Sequence, residues 1–334
     1  MKRLISLALV LTLALSFCAC YAAEEASAEY HKVVDMLGRE VQVPVKVERI
    51  IPGWGIKYMI GLNVDERFVS STKDKLCLMI APHLADNGSI TRDGTTNVEA
   101  IAELDPDVVI MKWSSKHIET LEGLGIPVLG LSVESEEELL YAINMFGEAF
   151  GVQERADELI AYYKELTQKA HDLVADVPES ERPTAIYLGQ FVGSTAPDTV
   201  LQGRTLEEAG AINPAAADGR GELWPIVGME KIMGWDPDYI FMANNLTSRD
   251  YTYESFVTDP ANANLSSVKN GNVYESPAAI DLWLYPGTCI ALGRLWMIHV
   301  MYPDRLSDAE LETIVLEYYQ KMYGLELTRE EIGF

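Results

Sequence analysis

The sequence predicts an α/β fold of two lobes, each built on a central, mainly parallel sheet, with one long rigid helix joining them. Three observations carry this. A helix–turn–strand unit occurs once in each half of the 334-residue chain, at a constant offset of 131 residues. Short continuous apolar runs, the pattern of strands buried on both faces, recur along the chain. A helix-rich stretch without any Gly/Ser linker separates the two halves. The boundaries that follow are a leader over 1–19, an acidic tether over 20–30, a first lobe over 31–151, a connecting helix over 152–178 and a second lobe over 179–334.

The leader comes first in the chain and lies outside the fold. Lys2 and Arg3 precede an uncharged run from Leu4 to Phe17. That run is shorter than the roughly 20 residues a membrane span needs and fits a secretory signal. Phe17-Cys18-Ala19-Cys20 resembles a lipobox, with a small residue just before the modified cysteine and Phe17 in place of the usual leucine. Lipid attachment at Cys20 would hold the protein at the outer face of the membrane, each buried acyl CH₂ contributing about 0.8 kcal/mol. Cleavage after Ala22 or Ala23 is the competing reading.

The mature chain opens with His31 to Val45, two extended runs about Gly38 that read as a hairpin. Val47 to Ile51 is a buried strand ending at Pro52-Gly53-Trp54-Gly55, and Lys57 to Leu62 reads as a helix. The repeat follows. Asn97–Met111 (NVEAIAELDPDVVIM) matches Gly228–Met242 (GMEKIMGWDPDYIFM) without a gap. Glu99 pairs with Glu230, Ile101 with Ile232, and Asp105-Pro106-Asp107 with Asp236-Pro237-Asp238. The prolines stop a helix, and the apolar run beyond each is a buried parallel strand. Gly125 to Leu131 adds a strand to the first lobe, and Thr184 to Leu188 starts the second. From Gln153 a helix of about 20 residues, about 30 Å long, links them. A rigid link of this kind predicts limited lobe motion.

Composition bounds the partners. The net charge is −25, which opposes nucleic acid and anionic membrane surfaces. Beyond Cys18 and Cys20, Cys77 and Cys289 are the remaining cysteines. An exported protein permits a disulfide between them, and two buried thiols are the plainer reading.

The stretches 33–44 (VVDMLGREVQVP), 47–51 (VERII), 97–111, 206–213 (LEEAGAIN) and 292–308 (LGRLWMIHVMYPDRLSD) together resemble the helical-backbone substrate-binding proteins of ABC importers. That family serves ferric siderophores, haem and cobalamin. The resemblance spans the mature chain and implies a ligand cleft between the lobes, no intrinsic cofactor and a monomer that meets a two-fold symmetric permease. The ligand it implies is a ferric siderophore, haem or a corrinoid. It further implies one permease-docking acid per lobe, carried over to Glu99 and Glu230. Glu103 and the turn aspartates compete for that role.

Ligands of open α/β sheets bind beyond the carboxyl ends of the strands. The candidates there are Trp54, Arg92 and Trp113 in the first lobe. In the second they are Tyr187, Arg220, Trp224, Arg249, Trp283 and Tyr285. Aromatic faces and guanidinium groups suit a flat anionic chelate. For each tryptophan the alternative is lobe packing, and for each arginine a surface ion pair. Trp235 and Trp296 read as core. Enzyme signatures such as GxSxG, HExxH and a P-loop are missing from the sequence. A bare zinc or manganese site would need clustered ligands, whereas His31, His83, His117, His171 and His299 are scattered.

Overall fold

The structure is a computed structural model that describes residues 30–92, 95–189, 191, 193–218, 222–244 and 252–333, the side chain of Arg92 excepted. The leader and Cys20 lie outside the described residues, as do Arg220 and Arg249.

Strands β1 (Tyr30–Val34) and β2 (Glu40–Pro44) form the expected antiparallel hairpin. Its turn is organised by Asp35, a buried carboxylate. Asp35 accepts backbone N–H bonds from Leu37, Arg39 and Gly130, and a double contact from the Arg39 guanidinium. Gly38 supplies the left-handed residue that the turn needs, with φ at 73°.

Each lobe then carries a three-stranded parallel sheet. In the first, β6 (Val108–Lys112) lies between β3 (Ile50–Pro52) and β7 (Val128–Leu131). In the second, β9 (Tyr239–Met242) lies between β8 (Ala185–Leu188) and β10 (Val273–Glu275). A minor hairpin, β4 (Thr91–Arg92) with β5 (Thr95–Thr96), stands before the first repeat. The repeat puts its strand at the centre of both sheets. The preceding helices, numbered α3 (Val98–Glu103) and α8 (Met229–Trp235), bury Ile101 and Ile232 completely against the outer sheet faces.

The Asp-Pro-Asp turns share one mechanism. Asp105 and Asp236 take the left-handed conformation at φ 45° and 43°, which aspartate tolerates better than most residues. Asp107 then accepts the backbone N–H groups of Glu48 and Arg49 at 2.7 and 2.8 Å, at the start of β3. Asp238 accepts from the backbone N–H and hydroxyl of Thr184, both at 2.8 Å, at the start of β8. The second aspartate of each turn thus fixes the neighbouring strand to the central one.

The remaining elements include α1 (Ile56–Ile60), α2 (Lys75–Ile80), α4 (Ile118–Gly123) and α5 (Glu136–Phe150). The connecting helix α6 (Gln153–Val174) has 22 residues, close to the expected length. Its buried stripe of Ala156, Leu159, Tyr163, Leu166, Ala170 and Val174 follows helical spacing. It packs on α5 of the first lobe and on α11 (Ile290–Met301) of the second. Helix α7 (Leu201–Glu208) and the late helix α12 (Asp308–Tyr323) complete the second lobe around it, with α9 (Tyr253–Thr258), α10 (Ser266–Lys269) and α13 (Arg329–Ile332) on its periphery.

One hydrophobic core runs through both lobes and α6. At its edge lies Arg294 of α11, only 3% exposed. It pairs with Glu136 of α5 at 2.9 Å and with Glu208 of α7, while Tyr163 of α6 donates to Glu136 at 3.3 Å. Burial works against the Arg294 charge, but Tyr163, Glu208 and Glu136 outweigh it and hold its pKa above the ordinary value. A second tie is Lys57 of α1, held between Asp74 at 3.1 Å and Asp281 of the other lobe. Cys77 and Cys289 are both buried and unpaired with each other, the plainer of the two readings.

Removing the Arg294 side chain leaves two carboxylates facing each other at a helix junction. We expect Arg294→Ala to cost about 3 kcal/mol, read as a lowered urea midpoint with an unchanged slope.

Candidate functional site

A cavity of about 330 Å³ opens between the lobes. The first lobe lines it with Trp54 beyond β3, Lys112 at the end of β6, and Val133 and Glu134 beyond β7. The second lobe contributes Tyr187 of β8, Gly189, Phe191, Ser194, Gln202 of α7, Trp224 and the segment Leu284–Pro286. The site therefore lies at the carboxyl ends of both parallel sheets, as strand topology requires.

The Gly-Trp-Gly triplet explains itself here. A Cβ on Gly53 would come within 2.8 Å of the Ile110 carbonyl, so only glycine lets this segment lie against β6. Gly55 starts α1 in the left-handed conformation, φ 74°. Between them Trp54 is turned to the cavity, its ring 6.2 Å from that of Tyr58 and beneath the Lys112 ammonium, 5.7 Å from the ring centroid. The opposite wall has a matching device. A Cβ on Gly189 would sit 2.9 Å from the Trp224 ring, so the glycine provides the seat for that indole, whose centroid is 6.0 Å from Tyr187.

The polar groups are few. Glu134 is half-buried; desolvation raises its pKa, with Lys112 acting against the rise and Glu138 adding to it. Tyr285 is also raised by burial, with Lys57 lowering and Glu134 raising it, which places these charges around one space. Gln202 is 4% exposed and donates to the Leu284 carbonyl at 3.0 Å.

Of the residues expected from sequence, Trp54, Tyr187, Trp224 and Tyr285 line this cavity. Trp283 does not. It is 2% exposed, and its indole N–H donates to the Tyr319 hydroxyl at 3.2 Å inside the core. Gly293 allows the loop to lie directly on α11: a Cβ there would meet the Trp283 carbonyl oxygen at 2.5 Å. Trp113 follows β6 but is 48% exposed and off the wall. Arg92 is placed by its backbone in β4, opposite Thr95. Trp235 and Trp296 pack against the core as expected.

Sequence reasoning missed Lys112, Glu134 and Gln202. A charge closing the run VVIMK was a usable signal for Lys112. Glu134 and Gln202 had none, since each reads as an ordinary helix-flanking or helical polar residue. Glu99 and Glu230 are both exposed, each in the first turn of its repeat helix.

Comparison with known proteins agrees with this fold. A family model described as periplasmic binding protein matches residues 81–280. The molybdate-binding protein MolA of Haemophilus influenzae is 25% identical over 323 residues, covering 87% of this chain and 90% of that protein. A substrate-binding lipoprotein of an uncharacterised ABC transporter in Bacillus subtilis, YvrC, is 27% identical over 65% of this chain and 68% of its own length. Among solved structures, a periplasmic solute-binding protein of Veillonella parvula superposes with a TM-score of 0.74 at 27% identity, covering 91% of this chain and 95% of that one.

If Gly189 seats Trp224, then Gly189→Ala displaces the indole from the cavity wall. We expect a shifted tryptophan emission maximum with an unchanged far-ultraviolet circular dichroism spectrum.

Proposed function

The chain belongs to the periplasmic binding protein family, and from that premise we propose that it captures a compact metal chelate, an iron complex in the first instance, and delivers it to the permease of an ABC importer. It acts outside the cytoplasm as a solute-binding protein, not as an enzyme. The observation that supports a compact cargo is the cavity itself. A volume of about 330 Å³ stands at the lower end of the range of small-molecule sites. That favours a small ferric complex over haem or a corrinoid, the bulkier ligands of the family. Trp54, Tyr187 and Trp224 offer aromatic faces, and Lys112 offers one ammonium to an anionic edge. The relative matched over 90% of its own length is a molybdate-binding protein, whose compact ligand favours small cargo in size though not in chemistry.

The test is tryptophan fluorescence of the purified protein, titrated with ferric citrate, ferric catecholate, ferric hydroxamate, haem and cobalamin. Two of the six tryptophans, Trp54 and Trp224, line the cavity. We expect saturable quenching by a compact iron chelate, reduced by half or more in Trp224→Phe. Saturation by haem or cobalamin alone would sink the compact-cargo reading.

We further propose that Glu99 and Glu230 dock the loaded protein on its permease. They occupy equivalent positions of the repeat, and two equivalent acids suit a two-fold symmetric partner. Reversing both to arginine is expected to abolish uptake while the quenching titration stays unchanged; undiminished uptake would remove both from the role.

A further inference from the structure

The cavity is not a simple anion site. Lys112 is its one basic side chain among the described residues, and the ammonium lies over the Trp54 ring instead of on a carboxylate. Facing the same space, the Glu134 carboxylate makes no hydrogen bond or ion pair among the described residues. Only its backbone N–H is engaged, donating to Glu138 at 2.7 Å. Gln202 is a second acceptor without a donor. Its amide nitrogen is committed to the Leu284 carbonyl, which fixes the amide orientation and leaves Oε1 buried and unpartnered.

Unpartnered buried acceptors are costly and uncommon, and partial desolvation of a carboxylate adds to the cost. One such acceptor from the second lobe, with a half-buried carboxylate and a single ammonium from the first, defines the polarity of what fits. A bare oxoanion at neutral pH carries acceptors alone. It would satisfy Lys112 but would set oxygen lone pairs against Glu134 and leave Gln202 Oε1 unmet. A ligand that carries both donors and anionic oxygens would satisfy all three groups. In a metal complex such donors are coordinated water, hydroxyl or amine groups, and an open coordination position would serve Glu134 equally, since carboxylate oxygen suits hard cations.

Building on the compact-chelate reading above, we propose that Glu134 and Gln202 select a metal chelate that presents coordinated water, hydroxyl or amine groups to them and anionic oxygens to Lys112, and that they discriminate against bare oxoanions. Glu134 is then the specificity-determining residue of the site.

The experiment measures dissociation constants by fluorescence titration of the full protein and of Glu134→Gln and Gln202→Met, with ferric citrate, nickel–histidine and sodium molybdate as probes. For the unaltered protein, at least one of the two chelates should bind tenfold or more tighter than molybdate. Glu134→Gln should weaken that chelate tenfold or more, and should leave molybdate binding unchanged or stronger because a like charge is removed. Gln202→Met should weaken the chelate by a smaller factor. Thermal unfolding controls for folding: an unpaired carboxylate replaced by an amide should leave the midpoint unchanged or raised. Molybdate binding tighter than both chelates, or a Glu134→Gln variant with unaltered selectivity, overturns the assignment while leaving the compact-cargo reading in place. Failure of all three probes on the unaltered protein overturns both.

Discussion

The charge of Arg294 is the interaction on which the relative placement of the lobes depends. It is buried at the point where α5, α6, α7 and α11 meet, and its partners come from both lobes. Removing a guanidinium from water is expensive, and only well-placed carboxylates recover the cost. Glu136 and Glu208 can do so in one arrangement of the helices. Sliding α5 against α7 would separate one of them from the guanidinium and leave buried charge unmatched. Lys57, between Asp74 and Asp281, repeats the arrangement nearer the cleft. Tyr58, which donates to the Pro286 carbonyl at 2.7 Å, adds a neutral tie beside it. Together with a core that passes unbroken through α6, these contacts make the separation of the lobes a property of the fold.

That frame was largely legible in the sequence. The 131-residue repeat gave the central strand of each sheet, and Pro106 and Pro237 marked where helix gave way to strand. Gln153 to Val174 carried its apolar residues at helical spacing between Gly151 and Pro178, so its length could be read directly. The role of the second aspartate in each turn could not. Asp107 bonds to residues 58 and 59 positions away, and nothing local distinguishes it from a solvated turn acid.

The site was half legible, for a related reason. Aromatic residues beside glycines announced Trp54, Tyr187 and Trp224, because a large side chain next to a residue without one often marks a close backbone approach. Position in a loop beyond the strands misled at Trp283. Its partner glycine, Gly293, is ten residues away on α11, so the close approach there serves core packing. Polar specificity was the least visible part. Glu134 and Gln202 gain their character from what surrounds them after folding, and neither residue type nor spacing records desolvation.

These two halves of the structure bear on each other. A binding site can tolerate unmatched acceptors only if the scaffold prevents it from collapsing to satisfy them. Glu134 lies two residues before Glu136, in the segment that leads into α5, and Gln202 lies on α7, which ends at Glu208, so both are tied to the elements that Arg294 joins. The ion cluster behind the cavity and the unmet acceptors in front of it are therefore linked. The first ties α5 to α7, and the second keep their positions because those elements are tied. Binding then costs little rearrangement of the protein, and the energy of the new hydrogen bonds goes to discrimination among ligands. Under the proposed selectivity, the protein recognises its cargo by the donors the cargo brings to a preformed site.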